Sequence, residues 1–516
     1  MLANANELPP DHRITCDLCI AGAGAAGISL ALQWIDRGLD VCLLEGGGTR
    51  FDADSQDLYR GKVEPPLDAP YLHSSRLRFL GGTTNHWLGF CRPLDEIDFA
   101  HRPWIPHSGW PIARADLDPY YPRACELCEV PGDFGPPVPL HDAPDCGASV
   151  VPLFYGPPTR FGEAYRKALK TASNIRLVLH ANVLRLALDS TGHRVGHLEV
   201  ARDDGQRFQV AARAFVLALG GVENSRLLLL SDDVHPRGVG NGRDQVGRYF
   251  MDHPVYSIGT VTSGVKDSPL TQPLERSKRE VQTCRLDDRV QEAHRLANCS
   301  LGLDVLRHEE DVRADALHDA DLEAAAAFFE THCRDAFLAA HGPDRVAEDR
   351  AFFTRQRRLA RPKGLKVNYF DIRPEPVPHP DSRITLGEAT DRFGLRRAVL
   401  DWRLADEDAH TLRHSARLLA LELGRSGLGR LRLDSLGPLT ASYRPGFHHI
   451  GGTRMSASPD TGVVDRDAKV FGVDNLFLAG SSIFPTAGYA NPTLTLVALA
   501  LRLAEHLDKR LRAGLE

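Results

Sequence analysis

The pattern of apolar and polar positions near the N-terminus predicts a complete βαβ unit. Residues 17–45 pass from an apolar run through a glycine turn and a segment of helical period to a second apolar run. Alternation over 175–188 and 195–200 predicts further strands. An apolar run at 215–221 precedes the helix-like segment ENSRLLLLS, so another crossover of the same domain is expected there.

The pattern changes between about residues 254 and 444. Strand-like segments such as VNYFDIRPEPV alternate with a charged, alanine-rich, helical stretch between 304 and 359. The last block returns to the strand, glycine and helix order of the N-terminal region. We therefore predict an α/β protein with a Rossmann-like domain that is discontinuous in sequence and a sheet-based α+β second domain. The predicted bounds are 1–100, 155–253 and 445–516 for the first domain, and 101–154 and 254–444 for the second.

The glycine turn of the βαβ unit has the residues that a dinucleotide site needs. Gly22 permits the tight turn, Gly24 lets the backbone approach a pyrophosphate, and Gly27 lets the helix lie close to the strand. Glu45 ends the second strand, where it is placed to accept hydrogen bonds from a ribose and would repel a 2′-phosphate. This motif fits FAD and NAD equally well. The predicted contacts with the dinucleotide are Gly22, Gly24, Ala25, Ala26, Gly27 and Glu45.

Composition narrows the class of protein. A chain of 516 residues exceeds what one core usually supports, which favours two domains. The formal net charge of -6 and a pI near 6.4 give no basic footprint for nucleic acid. The N-terminus has no signal pattern, and no apolar stretch is long enough to span a membrane. A cytoplasmic location is expected.

The ten cysteines are scattered, which indicates reduced thiols instead of a disulfide framework. Cys16 and Cys19 lie in or beside a predicted strand, where this spacing puts their side chains on opposite faces. Cys125 and Cys128 would share one side of a helix, yet no second pair at metal-ligand spacing accompanies them. Core packing is favoured over a redox or metal role for both pairs, and no metal site is predicted.

Two other segments combine residues suited to binding. FLGGTTNHWLGF is either a loop that faces a ligand or a turn that satisfies its own polar groups. Asn491 precedes Pro492 at the start of an apolar helix. Its amide is suited either to capping that helix or to stabilising a developing alkoxide.

In this order, the motifs resemble those of the glucose-methanol-choline (GMC) oxidoreductases. The resemblance spans nearly the whole chain and rests on GAGAAG with Glu45, GGTTNHW, LALGGVENSRLLLLS, NGRDQVGRYFMDHP, HIGGTRM and the C-terminal block beginning VDNLFLAGSS. It implies FAD as cofactor, an FAD-binding domain, a substrate-binding domain, and an FAD-dependent alcohol oxidase or dehydrogenase acting on CH-OH donors. The segments GGTTNHW and ANPTLT are nearest to pyranose oxidases and bacterial sugar dehydrogenases, which implies a sugar, glycoside or polyol.

The resemblance also implies catalytic residues. His449, at the motif's spacing before Gly451 and Gly452, is assigned as the base that takes the hydroxyl proton. His448 is its rival, but neighbours in an extended segment face opposite ways, so only one of the two can face a flavin. Asn491 stands where many family members carry a second histidine. This matches a subgroup that contains pyranose and cholesterol oxidases, so a sterol or another non-sugar alcohol stays open.

The remaining cofactor contacts come from the same resemblance. His86 matches the histidine that is bonded covalently to the flavin in pyranose oxidases, whereas related dehydrogenases hold the flavin without a bond. Val183 matches a residue whose backbone meets the adenine, and Ser481 follows Gly480 where flavoproteins reach the ribityl chain. These predicted contacts are Gly81, Gly82, Thr83, Asn85, His86, Trp87, Val183, Gly480, Ser481, Asn491, Pro492 and Thr493.

The expected partners are a small-molecule alcohol and an electron acceptor that is oxygen, a quinone or a carrier protein. The chain has no haem attachment motif and no cysteine cluster for an iron-sulfur centre. Three alternatives stay open: an FAD-containing lyase on the same scaffold, a nicotinamide dehydrogenase sharing only the βαβ unit, and a binding module without activity.

Overall fold

The computed structural model describes residues 1–68, 70–155, 158–263, 280–303, 366–433, 439 and 443–514. The alanine-rich stretch predicted between 304 and 359 lies outside these residues. The strands are β1 Leu2–Asn4, β2 Arg13–Ala21, β3 Val41–Leu44, β4 Lys62–Val63, β5 Phe90–Cys91, β6 Val138–Pro139, β7 Ala148–Tyr155, β8 Ile175–Leu179, β9 Asn182–Leu188, β10 Val195–Ala201, β11 Arg207–Leu217, β12 Pro254–Ser263, β13 Glu280–Leu286, β14 Cys299–Leu303, β15 Lys366–Pro374, β16 Arg383–Thr390, β17 Arg396–Asp401, β18 Arg430–Leu433, β19 Tyr443–Pro445 and β20 Leu476–Leu478.

Short and long helices connect these strands. The two 20-residue helices are the last two of the series. The α-helices are α1 Ala25–Leu32, α2 Ala53–Asp57, α3 Tyr71–Ser74, α4 Glu96–Phe99, α5 Tyr121–Cys128, α6 Phe161–Ala164, α7 Arg166–Thr171, α8 Gly220–Leu230, α9 Asp288–His294, α10 Asp406–Arg425 and α11 Thr493–Arg512. Among the described residues, none of the helices is both long enough and apolar enough to cross a bilayer.

The first sheet is the predicted nucleotide-binding sheet, and its strands come from distant parts of the chain. The strand order is β1-β8-β3-β2-β11-β10-β9, and β20 pairs with residues 215–217 at the C-terminal end of β11. Strands β1, β8, β3, β2, β11 and β20 are parallel to their neighbours, whereas β9 and β10 return antiparallel. All four residues of β3 are buried, as expected for a parallel strand that is covered on both faces. The predicted βαβ unit is confirmed as β2-α1-β3.

The second sheet is antiparallel and has the order β18-β12-β15-β14-β13-β7-β5, with β19 beside β12 and β6 beside β7. Helix α10 packs on this sheet through one apolar face. The buried residues of that face recur at helical spacing and are Leu412, Ala416, Leu419 and Leu423. A small third sheet joins β16, β17 and β4. The α/β class with a second sheet-based domain is confirmed, while the domain bounds stay a prediction.

The four cysteines considered above are buried free thiols. Cys16 and Cys19 lie in β2, and Cys125 and Cys128 lie in α5. All four belong to the hydrophobic core around the first sheet, so they contribute to packing.

Candidate active site

Four neighbouring strands of the first sheet end at one edge. Ala21 at the end of β2 pairs with Leu44 of β3 and with Leu217 of β11, and Leu217 pairs in turn with Leu478 of β20. Because the carboxyl ends of parallel strands face the same crevice, this edge is where an open α/β sheet binds its ligand. The segments that follow these strands carry the predicted residues Gly22, Glu45 and Gly480.

The glycine turn after β2 has room for a diphosphate. Gly22 has φ +103°, and a Cβ on it would lie 2.5 Å from the carbonyl oxygen of Ala218. A Cβ on Gly27 would lie 1.9 Å from the carbonyl oxygen of Gly22, so the helix reaches its close approach only with glycine. A Cβ on Gly24 would meet nothing within 4 Å. This open space beside the N-terminus of α1, with its unpaired backbone N-H groups, fits the diphosphate of a dinucleotide.

Glu45 joins the glycine turn to the second strand. One carboxylate oxygen accepts a hydrogen bond from the backbone N-H of Ala23 (3.1 Å), and the other accepts from that of Gly47 (2.9 Å). Burial raises the pKa of this carboxyl. The contact of this carboxylate with the ribose of a dinucleotide stays a prediction. Ala25 and Ala26 form the first turn of α1.

The loop GGTTNHW lies directly on the glycine turn. The N-H of Gly81 donates to the carbonyl of Ala23 (2.8 Å), and a Cβ on Gly82 would lie 3.2 Å from the Cα of Gly24. The loop also satisfies its own polar groups, because the amide of Asn85 donates to the carbonyls of Leu80 and Gly82. Thr83 is exposed. The loop is therefore a closed turn that packs on the glycine turn, and its contact with a cofactor stays a prediction.

His86 and Trp87 end this loop. The indole N-H of Trp87 donates to the carbonyl of Thr159 (2.9 Å). Burial and the nearby Arg160 guanidinium lower the pKa of His86 to about 3, so this imidazole is neutral at pH 7. The contact of either residue with a flavin stays a prediction, as does that of Val183 in β9.

The end of β20 reaches the histidine pair. Gly480 has φ +110°, and the hydroxyl of Ser481 donates to the carbonyl of His449 (2.6 Å). The predicted Gly-Ser pair thus holds the backbone of the segment that carries His448 and His449.

His448 lies in a row of polar contacts. Its Nδ1 is 2.8 Å from Nδ1 of His253, and its Nε2 is 3.0 Å from the amide nitrogen of Asn491. The oxygen of the Asn491 amide accepts from the Arg373 guanidinium (2.8 Å). Burial, followed by the charges of neighbouring residues, lowers the pKa of His448 well below its usual value. His448 is half-buried, whereas His449 is buried.

His449 faces away from Asn491. Its Nε2 lies 3.0 Å from the hydroxyl of Ser75, and that hydroxyl donates to the backbone carbonyl of Tyr71 (2.5 Å). A serine hydroxyl has one proton, so in this arrangement Nε2 of His449 carries a proton and donates it to Ser75. Burial lowers the pKa of His449 well below its usual value.

Of the two adjacent histidines, the structure therefore brings His448 to Asn491, and the catalytic roles assigned to His449 and Asn491 stay a prediction. The physical reason is the one that the sequence already contained: neighbours in an extended segment point to opposite sides. The capping role is not found for Asn491. Pro492 occupies the cap position before Thr493, and the Asn491 side chain is turned to His448 and Arg373.

Several residues of this site were not predicted as such. Asp252 is fully buried and accepts from the Tyr71 hydroxyl (2.7 Å) and from the backbone N-H of His448 (2.8 Å). Burial raises its pKa to about 6. Asp252 and His253 belong to the motif NGRDQVGRYFMDHP, which was noticed only as a family signature. Arg373 stands near the end of β15, and no pattern in the sequence singles it out.

Comparison with known proteins gives a consistent result. The chain matches the family described as GMC oxidoreductase in two segments, residues 146–255 and 378–500. The fructose dehydrogenase large subunit of Gluconobacter japonicus is 23% identical, over 98% of this chain and 100% of that protein. The 6'''-hydroxyparomomycin C oxidase of Streptomyces lividus is 25% identical, over 96% and 92%. A solved structure of Aspergillus oryzae formate oxidase, from work on its FAD modification, has the same fold, with a TM-score of 0.55, 17% identity and coverage of 99% and 100%.

Proposed function

The chain belongs to the GMC oxidoreductase family and is an FAD-dependent oxidoreductase, and from this premise we propose that it oxidises the CH-OH group of a sugar, glycoside or polyol, with His448 as the base. The choice of His448 over His449 as the base rests on which nitrogen of each imidazole is protonated. Nε2 of His448 faces the N-H of an amide and accepts from it, whereas Nε2 of His449 donates to Ser75. Of the two Nε2 atoms, only that of His448 is therefore unprotonated and able to take a proton.

The site has a base and a hydrogen-bond donor for one substrate oxygen. A bound hydroxyl that replaces the direct contact between Asn491 and His448 donates its proton toward Nε2 of His448 and accepts from the amide N-H of Asn491. As the O-H bond breaks, the proton passes to Nε2, and the amide stabilises the negative charge that develops on the oxygen. The Arg373 guanidinium holds the amide in this orientation, because it can only donate to the amide oxygen.

When bound, FAD would supply the acceptor for the hydride of the carbon that bears this hydroxyl. The residues that would hold it are those of the crevice: the turn around Gly24, Glu45, and the loop that begins at Gly81 and Gly82. A sugar or polyol substrate is supported by the relative named for fructose. It is also supported by the polar groups beside His448, namely the amide of Asn491 and the guanidinium of the half-buried Arg373.

A matched pair of glutamine variants tests the assignment. His448→Gln replaces Nε2 with an amide nitrogen that cannot act as a base. His449→Gln keeps a donor for Ser75. After anaerobic mixing with a panel of sugars, glycosides, polyols and sterols, the bleaching of the flavin absorbance gives the rate of reduction. We expect His448→Gln to reduce its flavin at least about a hundredfold more slowly than the parent while it retains FAD. His449→Gln should reduce its flavin within about threefold of the parental rate.

The reverse pattern would return the base role to His449. Bleaching by sterols alone would replace the sugar with a sterol as the substrate class. No bleaching with any alcohol, while FAD stays bound, would favour the lyase. Acid precipitation of the same preparations separates the two alternatives for His86, because a covalently held flavin stays in the pellet and a free one colours the supernatant.

A further inference from the structure

A second histidine lies behind the proposed base. Nδ1 of His253 is 2.8 Å from Nδ1 of His448, and Nε2 of His253 is 2.6 Å from the backbone carbonyl of Gly488. His253 is fully buried and stands just before β12. The contacts form a row that runs from Gly488 through His253, His448 and Asn491 to Arg373.

The groups at the two ends of this row fix the direction of every hydrogen bond in it. The carbonyl of Gly488 can only accept, so Nε2 of His253 carries a proton, and its Nδ1 in the neutral ring is an acceptor. Nδ1 of His448 must then carry the proton that it donates to His253. At the other end, the Arg373 guanidinium can only donate, so the Asn491 amide turns its oxygen to Arg373 and its N-H to Nε2 of His448. Both ends of the row therefore place the proton of His448 on Nδ1 and leave Nε2 as the acceptor.

We propose that His253 is a positioning residue that holds His448 in the tautomer with its proton on Nδ1, which leaves Nε2 free to accept the substrate proton. This inference rests on the proposed function. When the O-H bond of the alcohol breaks, its proton forms the Nε2-H bond of an imidazolium, whose Nδ1-H still donates to His253. A neutral histidine thus does here what a carboxylate does behind the histidine of a hydrolase triad.

Burial, together with the charges around the pair, keeps both rings neutral before the substrate binds. Burial and Arg373 lower the pKa of His253 to about 4, against an opposing effect of Glu375. Burial, His253, Arg373 and His449 act in the same direction on His448. The lone pair of His253 Nδ1 is therefore available at neutral pH. An acceptor that is itself neutral avoids a second buried charge beside the base.

Two substitutions of His253 separate positioning from simple packing. His253→Asn places a side-chain oxygen near the position of Nδ1 and keeps an acceptor for His448. His253→Leu fills similar space and has no acceptor. In anaerobic experiments with holoenzyme, we expect the rate of flavin reduction by His253→Leu at saturating alcohol to fall about a hundredfold. The alcohol concentration that gives half of the maximal rate should change little. His253→Asn should stay within about threefold of the parent, and His193→Leu, at an exposed site, should equal it.

A measurement without turnover reads the tautomer directly. In protein with ¹⁵N-labelled histidine, the signals of His448 are those that His448→Gln removes. We expect Nδ1 of His448 to give the signal of a protonated ring nitrogen in the parent and in His253→Asn. This readout also applies if His253→Leu does not fold.

The proposal would be overturned by a proton on Nε2 of His448 in the parent, by normal reduction of His253→Leu, or by an equal loss in both His253 variants. These outcomes differ from a failure of the proposed function, in which His448→Gln itself reduces the flavin normally. If His448→Gln reduced its flavin slowly and His253→Leu reduced it at the parental rate, only the positioning role of His253 would be rejected.

Discussion

Gly221, at the start of α8, lies so close to His449 that a Cβ on the glycine would be 2.6 Å from both Cβ and the carbonyl oxygen of the histidine. Part of the obstacle is backbone, which cannot rotate away as a side-chain tip can. The helix that follows β11 thus fixes how near the histidine segment lies to the first sheet.

Gly221→Ala should therefore displace the histidine segment. We expect the free energy of unfolding to fall by about 1–3 kcal/mol, as for other overpacked sites, and the rate of flavin reduction to fall at least about tenfold. Gly424→Ala in α10 is the control, because a Cβ there meets nothing within 4 Å. Stopped-flow reduction and urea denaturation measure the two effects. A Gly221→Ala enzyme with parental rate and stability would contradict this account of the packing.

Two glycines of the nucleotide turn, Gly24 and Gly27, should differ in what they support. Gly24→Ala adds a methyl group to open space in the protein, so the cofactor-free fold should keep its thermal midpoint. The same methyl group would occupy the space assigned to the diphosphate, so FAD affinity should fall at least about tenfold. Gly27→Ala should instead destabilise the protein itself, because its Cβ would lie 1.9 Å from a carbonyl oxygen. Flavin titration and thermal unfolding of both variants provide the comparison.

Equal thermal midpoints of the cofactor-free Gly24→Ala and Gly27→Ala proteins would contradict the expectation that only Gly27 is needed for the packing of the fold. Unchanged FAD binding by Gly24→Ala would place the diphosphate elsewhere.

Local patterns predicted the nucleotide domain well, and the reason is physical. The β2-α1-β3 unit spans 32 residues, from Arg13 to Leu44. The roles of Gly22 and Gly27 follow from contacts inside that unit or with Ala218, just after the adjacent strand β11. By contrast, the partners of His448 and His449 come from afar. Ser75 is 374 residues from His449, and Asn491 is 43 residues from His448.

The choice between two adjacent histidines depends on which side of the extended segment each partner occupies. The sequence predicts that they face opposite ways, but it does not reveal which side holds Asn491. His253 shows the same limit, since it meets His448 across 195 residues and Gly488 across 235 residues. Tautomers are set by such long-range contacts, so they follow only from the folded arrangement.

The buried histidine His253 should make the protein less stable in acid. Its pKa is lowered to about 4 in the folded state, whereas an unfolded histidine titrates near 6.5. Between these values the unfolded chain binds the extra proton, so this contribution to stability is present above pH 6.5 and is lost as the pH falls below it. From pH 6.5 to pH 5 the loss is about 2 kcal/mol for this one group.

His253→Asn removes this titration. The difference in the free energy of unfolding between variant and parent should shift by about 2 kcal/mol in favour of the variant between pH 6.5 and pH 5. It should be constant from pH 7 to pH 8. Urea denaturation at fixed FAD concentration measures the difference, and His193→Asn, at an exposed site, supplies the control. A pH-independent difference for His253→Asn would show that His253 titrates alike in both states.

Glu375 supports the loop whose carbonyl faces His253. Its carboxylate accepts two hydrogen bonds from Arg102 (2.7 and 2.8 Å), and one of its oxygens also accepts from the backbone N-H of Gly488 (3.1 Å). Both partners of the ion pair are almost completely buried, with side-chain exposures of 1% and 0%. A glutamine at this position would turn an N-H toward groups that themselves only donate, and it would remove the negative charge that faces the buried Arg102 guanidinium.

We expect Glu375→Gln to lower the free energy of unfolding by about 3–5 kcal/mol, the range for breaking a buried ion pair. Glu199→Gln, in a surface pair with Arg207, should cost about 0–1 kcal/mol. Urea denaturation compares the two. Glu375 also holds the backbone of Gly488, whose carbonyl accepts from His253. The same variant should therefore disturb the position of His253 and slow flavin reduction. If Glu375→Gln were as stable as Glu199→Gln and reduced its flavin at the parental rate, the buried pair would support neither the core nor the row of contacts behind the base.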